Sequence, residues 1–260
     1  MRVKPPIPAD QPELNWVESP WVQESRLGRW LMGSRLWYQR VLKPNCALLA
    51  RLNQQPWPRQ AALLDAGCGE GLAFKLLEQY FKPRIIFGLD IDKEAIPNAI
   101  ARAGRLKTPT HVMQGDVSLA SFKDETFDII FAHHLLQYRE DQTALLQKMQ
   151  ALLKPGGVLV AAEFCRVFTR SWWVRLLFRH PPSAQQSADD YVRLVRAVGF
   201  AVDAAEIQTA RPWWTQRLFG LAQLAGLSKR AEPGVLLLIA RKPLMVETVA
   251  EEVSEDGALS

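Results

Sequence analysis

The chain predicts an α/β fold, a parallel sheet with helices on both faces. Two observations carry this. From Ala61 onward, short apolar runs alternate with segments of helical periodicity. The first run passes straight into a glycine-rich turn, LLDAGCGEG at residues 63–71. Glycine serves at such a junction because the chain needs unusual φ angles and the backbone must pass close to a neighbour or ligand.

Each element follows in order. Four prolines in the first twelve residues predict an extended or disordered start, and Trp16 to Asn53 reads as helical segments broken near Pro44. Ala61 to Ala66 is short and wholly apolar apart from Asp65, as a strand buried on both faces would be. A helix follows over 71–80, where Leu72, Leu76, Leu77 and Tyr80 recur at helical spacing. The alternation continues with a strand at 85–91, a helix at 93–102, strands at 110–114 and 127–132, a helix at 141–153 and a strand at 157–163. Beyond Phe164 come a basic stretch with two tryptophans, a helix over 187–198, a strand over 200–207, a second aromatic insertion and a strand over 235–241. The last two strands can pair as a hairpin. This divides the chain into an N-terminal extension (1–60), a main domain (61–243) and an acidic tail (244–260) expected to be disordered. Within the main domain, 61–164 is the core and 165–230 the covering elements.

Composition bounds the function. With 260 residues, 48% of them hydrophobic, the chain can bury a full core. The start, MRVKPPIPAD, lacks the apolar stretch of a signal peptide, and Leu218 to Ser228 is too short to span a bilayer. A cytoplasmic protein is expected, with peripheral contact to a membrane surface as a further option. Cys46, Cys68 and Cys165 are odd in number and widely spaced, which argues for reduced thiols and against a disulfide framework or a metal site. The net charge of +5 conceals a tail with five acids, Glu247, Glu251, Glu252, Glu255 and Asp256; residues 1–246 alone carry +10. Such a surface favours acidic partners without choosing among them.

The glycine spacing narrows the ligand. A dinucleotide fingerprint would place its third glycine at Leu72, whereas this chain has Gly71, one residue early. No Gly-Lys-Ser or Gly-Lys-Thr follows for a phosphate loop. Some twenty residues on, GLDID places Asp90 at the end of the second strand, where a carboxylate can accept hydrogen bonds from two ribose hydroxyls. Asp92, just before the next helix, suits a capping role better. Asp116 in QGDV ends the third strand, and on its residues alone it could equally be a turn or capping acid.

The pattern acid-x-Gly-x-Gly-x-Gly at Asp65 to Gly71 resembles the first motif of class I S-adenosylmethionine-dependent methyltransferases. GLDID, QGDV, ETFDIIFAHHLLQY (125–138) and LLKPGGVLVAAE (152–163) resemble the motifs that follow it, in order. The resemblance implies a Rossmann-like, seven-stranded, mostly parallel sheet with an antiparallel last strand. It also implies N-terminal helices and a helical lid after the fifth strand. It assigns cofactor contact to Asp65, Gly67, Cys68, Gly69, Gly71, Asp90, Ile91, Asp116, Val117 and His133, with Asp116 reaching the adenine amino group. The implied cofactor is S-adenosyl-L-methionine, and no metal is required.

A sulfonium donor has a neutral leaving group, so such an enzyme chiefly aligns its reactants and excludes water. Where the acceptor must lose a proton, His134 and Tyr138 are the candidate bases, although loop histidines often serve packing instead. All nine tryptophans lie outside residues 61–164, in the flanks that the resemblance implies cover the active site, so a large apolar or aromatic acceptor site is expected. The expected reaction is methylation of a small hydrophobic or aromatic acceptor on oxygen or carbon. In 168–180, Ser171, Arg175 and Arg179 read as one polar helical strip among apolar residues. PWWTQRLFGLAQLAGL (212–227) reads similarly, and both suit either a lid or a membrane interface. Three other readings stay open: an RNA methyltransferase, a non-catalytic cofactor-binding or membrane-associated module, and a nicotinamide-dependent oxidoreductase. The first is disfavoured because AHHL stands where an Asn-Pro-Pro-Tyr motif would be. The intact acids Asp65, Asp90 and Asp116 count against the second, and Leu72 against the third. Oligomeric state is not legible.

Overall fold

A computed structural model of the chain describes residues 24–212, 215 and 232–244. Seven strands form one sheet in the order β3-β2-β1-β4-β5-β7-β6. They are β1 (Ala62–Ala66), β2 (Ile85–Asp90), β3 (Thr110–Gln114), β4 (Phe127–His133), β5 (Leu153–Phe164), β6 (Ile207–Ala210) and β7 (Val235–Arg241). Strands β1 to β5 pair in parallel, and β7 lies antiparallel between β5 and β6. The chain moves outward from β1 to β3 and then returns to the other side of β1. The crevice at the carboxyl ends of β1 and β4 is therefore the switch point of the sheet, where α/β folds bind ligands.

Alternation along the strands builds two cores. Leu63, Ile129, Phe131, Val158 and Val160 face one side, where α3 (Lys43–Leu52) and α4 (Phe74–Phe81) cover them with Cys46, Leu49, Leu77 and Phe81. Leu64, Ile130, Ala132 and Leu159 face the other, under α6 (Gln142–Leu152) and α9 (Ala188–Ala197), through Leu145, Met149, Tyr191 and Val195. Every residue of β1 is buried, as its apolar run requires.

Several boundaries differ from the sequence reading for identifiable reasons. The helix expected from residue 71 starts at Phe74, because Gly71 sits at φ +74° and cannot be helical. The next, α5 (Ile96–Ala103), starts at Pro97's first turn rather than at residue 93. No break occurs at Pro44. Instead α2 (Arg35–Trp37) runs through a π-turn (Tyr38–Leu42) into α3, so the helix widens just before the proline that lacks an N–H. The strand expected at 200–207 is reduced to a single bridge, Ala201 with Arg241, before β6. Between them Asp203 caps a turn over Ala204–Glu206, and Glu206 is buried against Arg241.

After β5 come two short helices, α7 (Arg166–Thr169) and α8 (Trp172–Leu177). The polar strip of Ser171, Arg175 and Arg179 expected there is not formed: Ser171 is a buried cap residue and Arg179 lies beyond the helix end. An N-terminal helix, α1 (Arg26–Met32), meets the end of α8 where Ser25 and Gly28 reach the Leu177 carbonyl. The second strip, over 212–227, lies outside the described residues apart from Pro212 and Thr215, as does the expected acidic tail from residue 245.

Candidate active site

The turn after β1 is shaped by backbone hydrogen bonds. Gly67 and Cys68 donate their N–H groups to the Leu89 carbonyl at 2.8 and 3.1 Å, which ties the turn to the end of β2. Gly67, Gly69 and Gly71 all have positive φ. Their reasons differ. A Cβ on Gly67 would lie 2.9 Å from Leu135 Cδ1, and one on Gly71 would lie 2.5 Å from the Phe74 ring. A Cβ on Gly69 would meet nothing within 4 Å, so the space beside that residue is open.

That space belongs to a cavity of about 580 Å³ at the switch point. Asp65, Gly67, Cys68, Gly69, Asp90, Ile91, Asp116, Val117, His133, His134 and Tyr138 all line it. Of the residues singled out in the sequence, Gly71 alone does not; its place is the contact between the turn and α4 and α5. Asp90 accepts from Gly69 N–H at 2.6 Å and from Asp92 N–H at 2.8 Å, so its carboxylate braces the turn. Asp65 is fully buried and its Oδ2 has no hydrogen-bond partner. Burial, followed by the Asp90 charge, pushes its carboxyl well above the ordinary range.

Asp116 is occupied on both oxygens. Oδ1 accepts from the N–H and hydroxyl of Ser118, each at 2.9 Å, and Oδ2 accepts from Arg139 at 2.8 Å. The capping role considered for this acid is thus present, joined by a largely buried ion pair.

The loop after β4 carries the remaining groups. His134 sits at φ +58°, buried, with its ring stacked on Phe164 at 3.9 Å and neither ring nitrogen hydrogen-bonded. Burial holds it far below the usual histidine range, so it is a neutral imidazole. His133 is likewise lowered, to about 3, by burial, and its Nε2 lies 3.3 Å from the Asn45 amide nitrogen. Tyr138 donates its hydroxyl proton to Glu24 at 2.8 Å. Burial, with the neighbouring Glu24, raises its phenol well above 10, which keeps it a donor.

Four residues that support this loop and its surroundings were not found from the sequence. Glu163 on β5 accepts from the N–H groups of Leu135 and Leu136, both at 2.9 Å. Glu24 also accepts from the backbone of Arg179 at 2.8 Å, joining the N-terminal segment to the loop after α8. Arg139 fixes Asp116, and Asn45 reaches His133. Their roles depend on contacts between distant segments, which spacing within a motif does not encode.

Residues 64–161 match the family model described as a methyltransferase domain. They form a class I methyltransferase domain. Its cofactor is S-adenosylmethionine. The site fits that group: an unpartnered buried carboxylate oxygen on Asp65 suits a cationic ligand, and the open face of Gly69 admits one. Similar curated proteins include phosphoethanolamine N-methyltransferase 3 of Arabidopsis thaliana, 29% identical over 40% of this chain and 21% of that protein. Another is trans-aconitate 2-methyltransferase of Variovorax paradoxus, 31% identical over 45% of this chain and 42% of that protein. The chain spans from about a fifth to about two fifths of the length of these relatives. Among solved structures, geranyl diphosphate methyltransferase bound to its diphosphate and sinefungin aligns with TM-score 0.60 at 17% identity, over 78% of this chain and 80% of that one. The [4+2]-cyclase SpnF aligns with TM-score 0.59 at 20% identity, over 78% and 81%. These two likenesses establish the fold that the methyltransferase domain adopts. A cyclase among them shows that the fold by itself does not choose the reaction.

Proposed function

We propose that this protein transfers the methyl group of S-adenosylmethionine to oxygen or carbon of a small apolar or aromatic acceptor. One observation carries the reading: the cavity that starts at the glycine turn continues onto a wall made by Trp30, Met32, Trp37 and Tyr138. The matching relatives support a small acceptor, since the names of two specify phosphoethanolamine and trans-aconitate. On this reading residues 61–164 hold the cofactor, while the N-terminal elements from Glu24 to Leu42 cover the acceptor; no described residue of the segment 165–230 lines the cavity.

When bound, the cofactor supplies an activated methyl group with a neutral leaving group. Asp65, Asp90 and the backbone around Gly69 would hold it. Asp116 and Val117 would line its adenine end, with Asp116 kept in place by Arg139. Apolar walls exclude water and align the acceptor. Tyr138, protonated and anchored on Glu24, orients a polar acceptor atom by hydrogen bonding. The neutral His134 has free ring nitrogens and can take a proton from an acidic acceptor. Burial opposes the imidazolium that would form, so His134 suits acceptors that ionise readily.

Titration calorimetry with S-adenosylhomocysteine and with NAD tests the cofactor half of this reading. Asp90→Ala is expected to lose about tenfold or more in S-adenosylhomocysteine affinity, the worth of one charge-assisted hydrogen bond. Tight NAD binding without S-adenosylhomocysteine binding would overturn the assignment. Mass spectrometry of small-molecule extracts incubated with labelled cofactor identifies the acceptor, and labelled RNA as the sole product would replace it.

A further inference from the structure

Five large apolar side chains stand out of the surface on three short helices. Leu27 and Trp30 on α1 are 53% and 70% exposed, Leu36 on α2 is 62%, and Trp172 and Leu176 on α8 are 63% and 75%. Leu27 and Trp30 are three residues apart and Trp172 and Leu176 four, so each pair shares one face of its helix. The two helices meet edge to edge. Ser25 donates its hydroxyl proton to the Leu177 carbonyl, and a Cβ added to Gly28 would lie 2.8 Å from the same oxygen. Only a glycine lets the helices approach this closely, so the two helices that carry these side chains are held side by side.

The segments that carry these side chains supply charge of almost one sign, and the nearby acids Asp92 and Glu94 are paired with Arg29 of α1. Between residues 24 and 60 the only acid is Glu24, which is buried, and between 164 and 188 there is none. Arg26, Arg35, Arg170 and Arg175 are exposed, and among the described residues no acid pairs with them. Large apolar side chains interspersed with unpaired arginines suit an interface that is apolar in depth and anionic at its surface. A nucleic acid would match the arginines but leave the leucines exposed. Trp30 also lines the cavity, so this face lies at the cavity's mouth. No helix among the described residues is long and apolar enough to cross a membrane, so any attachment here is to one face of a bilayer.

We propose that the adjoining faces of α1 and α8 dock on the surface of an anionic lipid bilayer. Sedimentation with vesicles of phosphatidylcholine, alone or with phosphatidylglycerol, tests this on the full chain. The wild type is expected to co-sediment with the anionic vesicles and to be released by added salt. The triple variant Leu27→Ser, Trp172→Ser, Leu176→Ser should bind about tenfold more weakly. Arg175→Glu should bind about fivefold more weakly. None of these four residues lines the cavity, so S-adenosylhomocysteine affinity should be unchanged in both variants, which also reports that they fold. A wild type that stays in solution with anionic vesicles, or a triple variant that sediments as well as wild type, would overturn the proposal. So would light scattering that shows a wild-type dimer split by the triple variant, since a second copy would then own the surface. The docking and the methyl transfer fail separately: vesicle binding does not depend on the reaction, nor calorimetry on lipid.

Discussion

Glu163 is a buried carboxyl with one oxygen satisfied by two backbone N–H groups and the other without a partner. Burial pushes it up to about 8 from the ordinary 4.5. Below pH 4.5 both the folded and the unfolded chain hold this proton. Between 4.5 and 8 the unfolded chain loses it while the folded chain keeps it, so stability falls as pH rises through this window. Glutamine keeps an acceptor for Leu135 and Leu136 and never ionises. Glu163→Gln should therefore match wild type in thermal melting at pH 5 and exceed it at pH 8.5, by an amount on the order of a few kcal/mol. Equal melting temperatures at both pH values would show that Glu163 is ionised in the fold. Neither this residue nor Arg139 was legible in the sequence. Asp65, Asp90 and Asp116 were, because each ends a strand at a recognisable spacing from the glycines. What the spacing could not show is that Asp116 is already bonded to Ser118 and Arg139.

At the scale of elements, the glycine turn separates two jobs that look alike in the sequence. Gly69 and Gly71 both have positive φ, but only Gly71 is packed against other atoms. Gly69→Ala should cost about 1 kcal/mol of stability, the strain of a side chain in the left-handed region. It should nevertheless abolish most S-adenosylhomocysteine binding, because the new methyl occupies open cavity. Gly71→Ala adds a clash with Phe74, for a total of about 3 kcal/mol in chemical denaturation. Equal losses of stability would contradict the packing difference. The same contrast explains which elements could be read. Strands 110–114 and 235–241 agree with the sequence to the residue, the second as a buried apolar run. The start of α4, the π-turn before Pro44 and the shortened β6 could not be read. In each, a single residue's backbone conformation or a distant ion pair overrode the local pattern.

For the molecule as a whole, the parallel core, the antiparallel final strand and the location of the crevice were legible, since they follow from element order. The meeting of residues 24, 138 and 179 was not. Glu24 bonds to Tyr138 and to the backbone of Arg179, so three segments far apart in the chain close one wall of the cavity. Tyr138→Phe leaves a buried Glu24 oxygen without its donor, at a cost of about 1–3 kcal/mol. We expect a lower melting temperature and a raised acceptor KM, with S-adenosylhomocysteine affinity unchanged. A Tyr138→Phe variant whose only defect is in S-adenosylhomocysteine affinity would place the residue on the cofactor side.

The central position of β1 has a consequence for how the protein is born. The turn that follows β1 hangs its first two N–H groups on Leu89, at the far end of β2, while the opposite flank of β1 waits for β4 to arrive from more than sixty residues downstream. A nascent chain that has emerged only as far as β3 holds the glycines without the wall of His133, His134 and Tyr138 that faces them. A fragment ending before β4 is therefore expected to carry the recognisable motif yet not to bind S-adenosylhomocysteine in calorimetry, and one extended past Tyr138 to gain that binding.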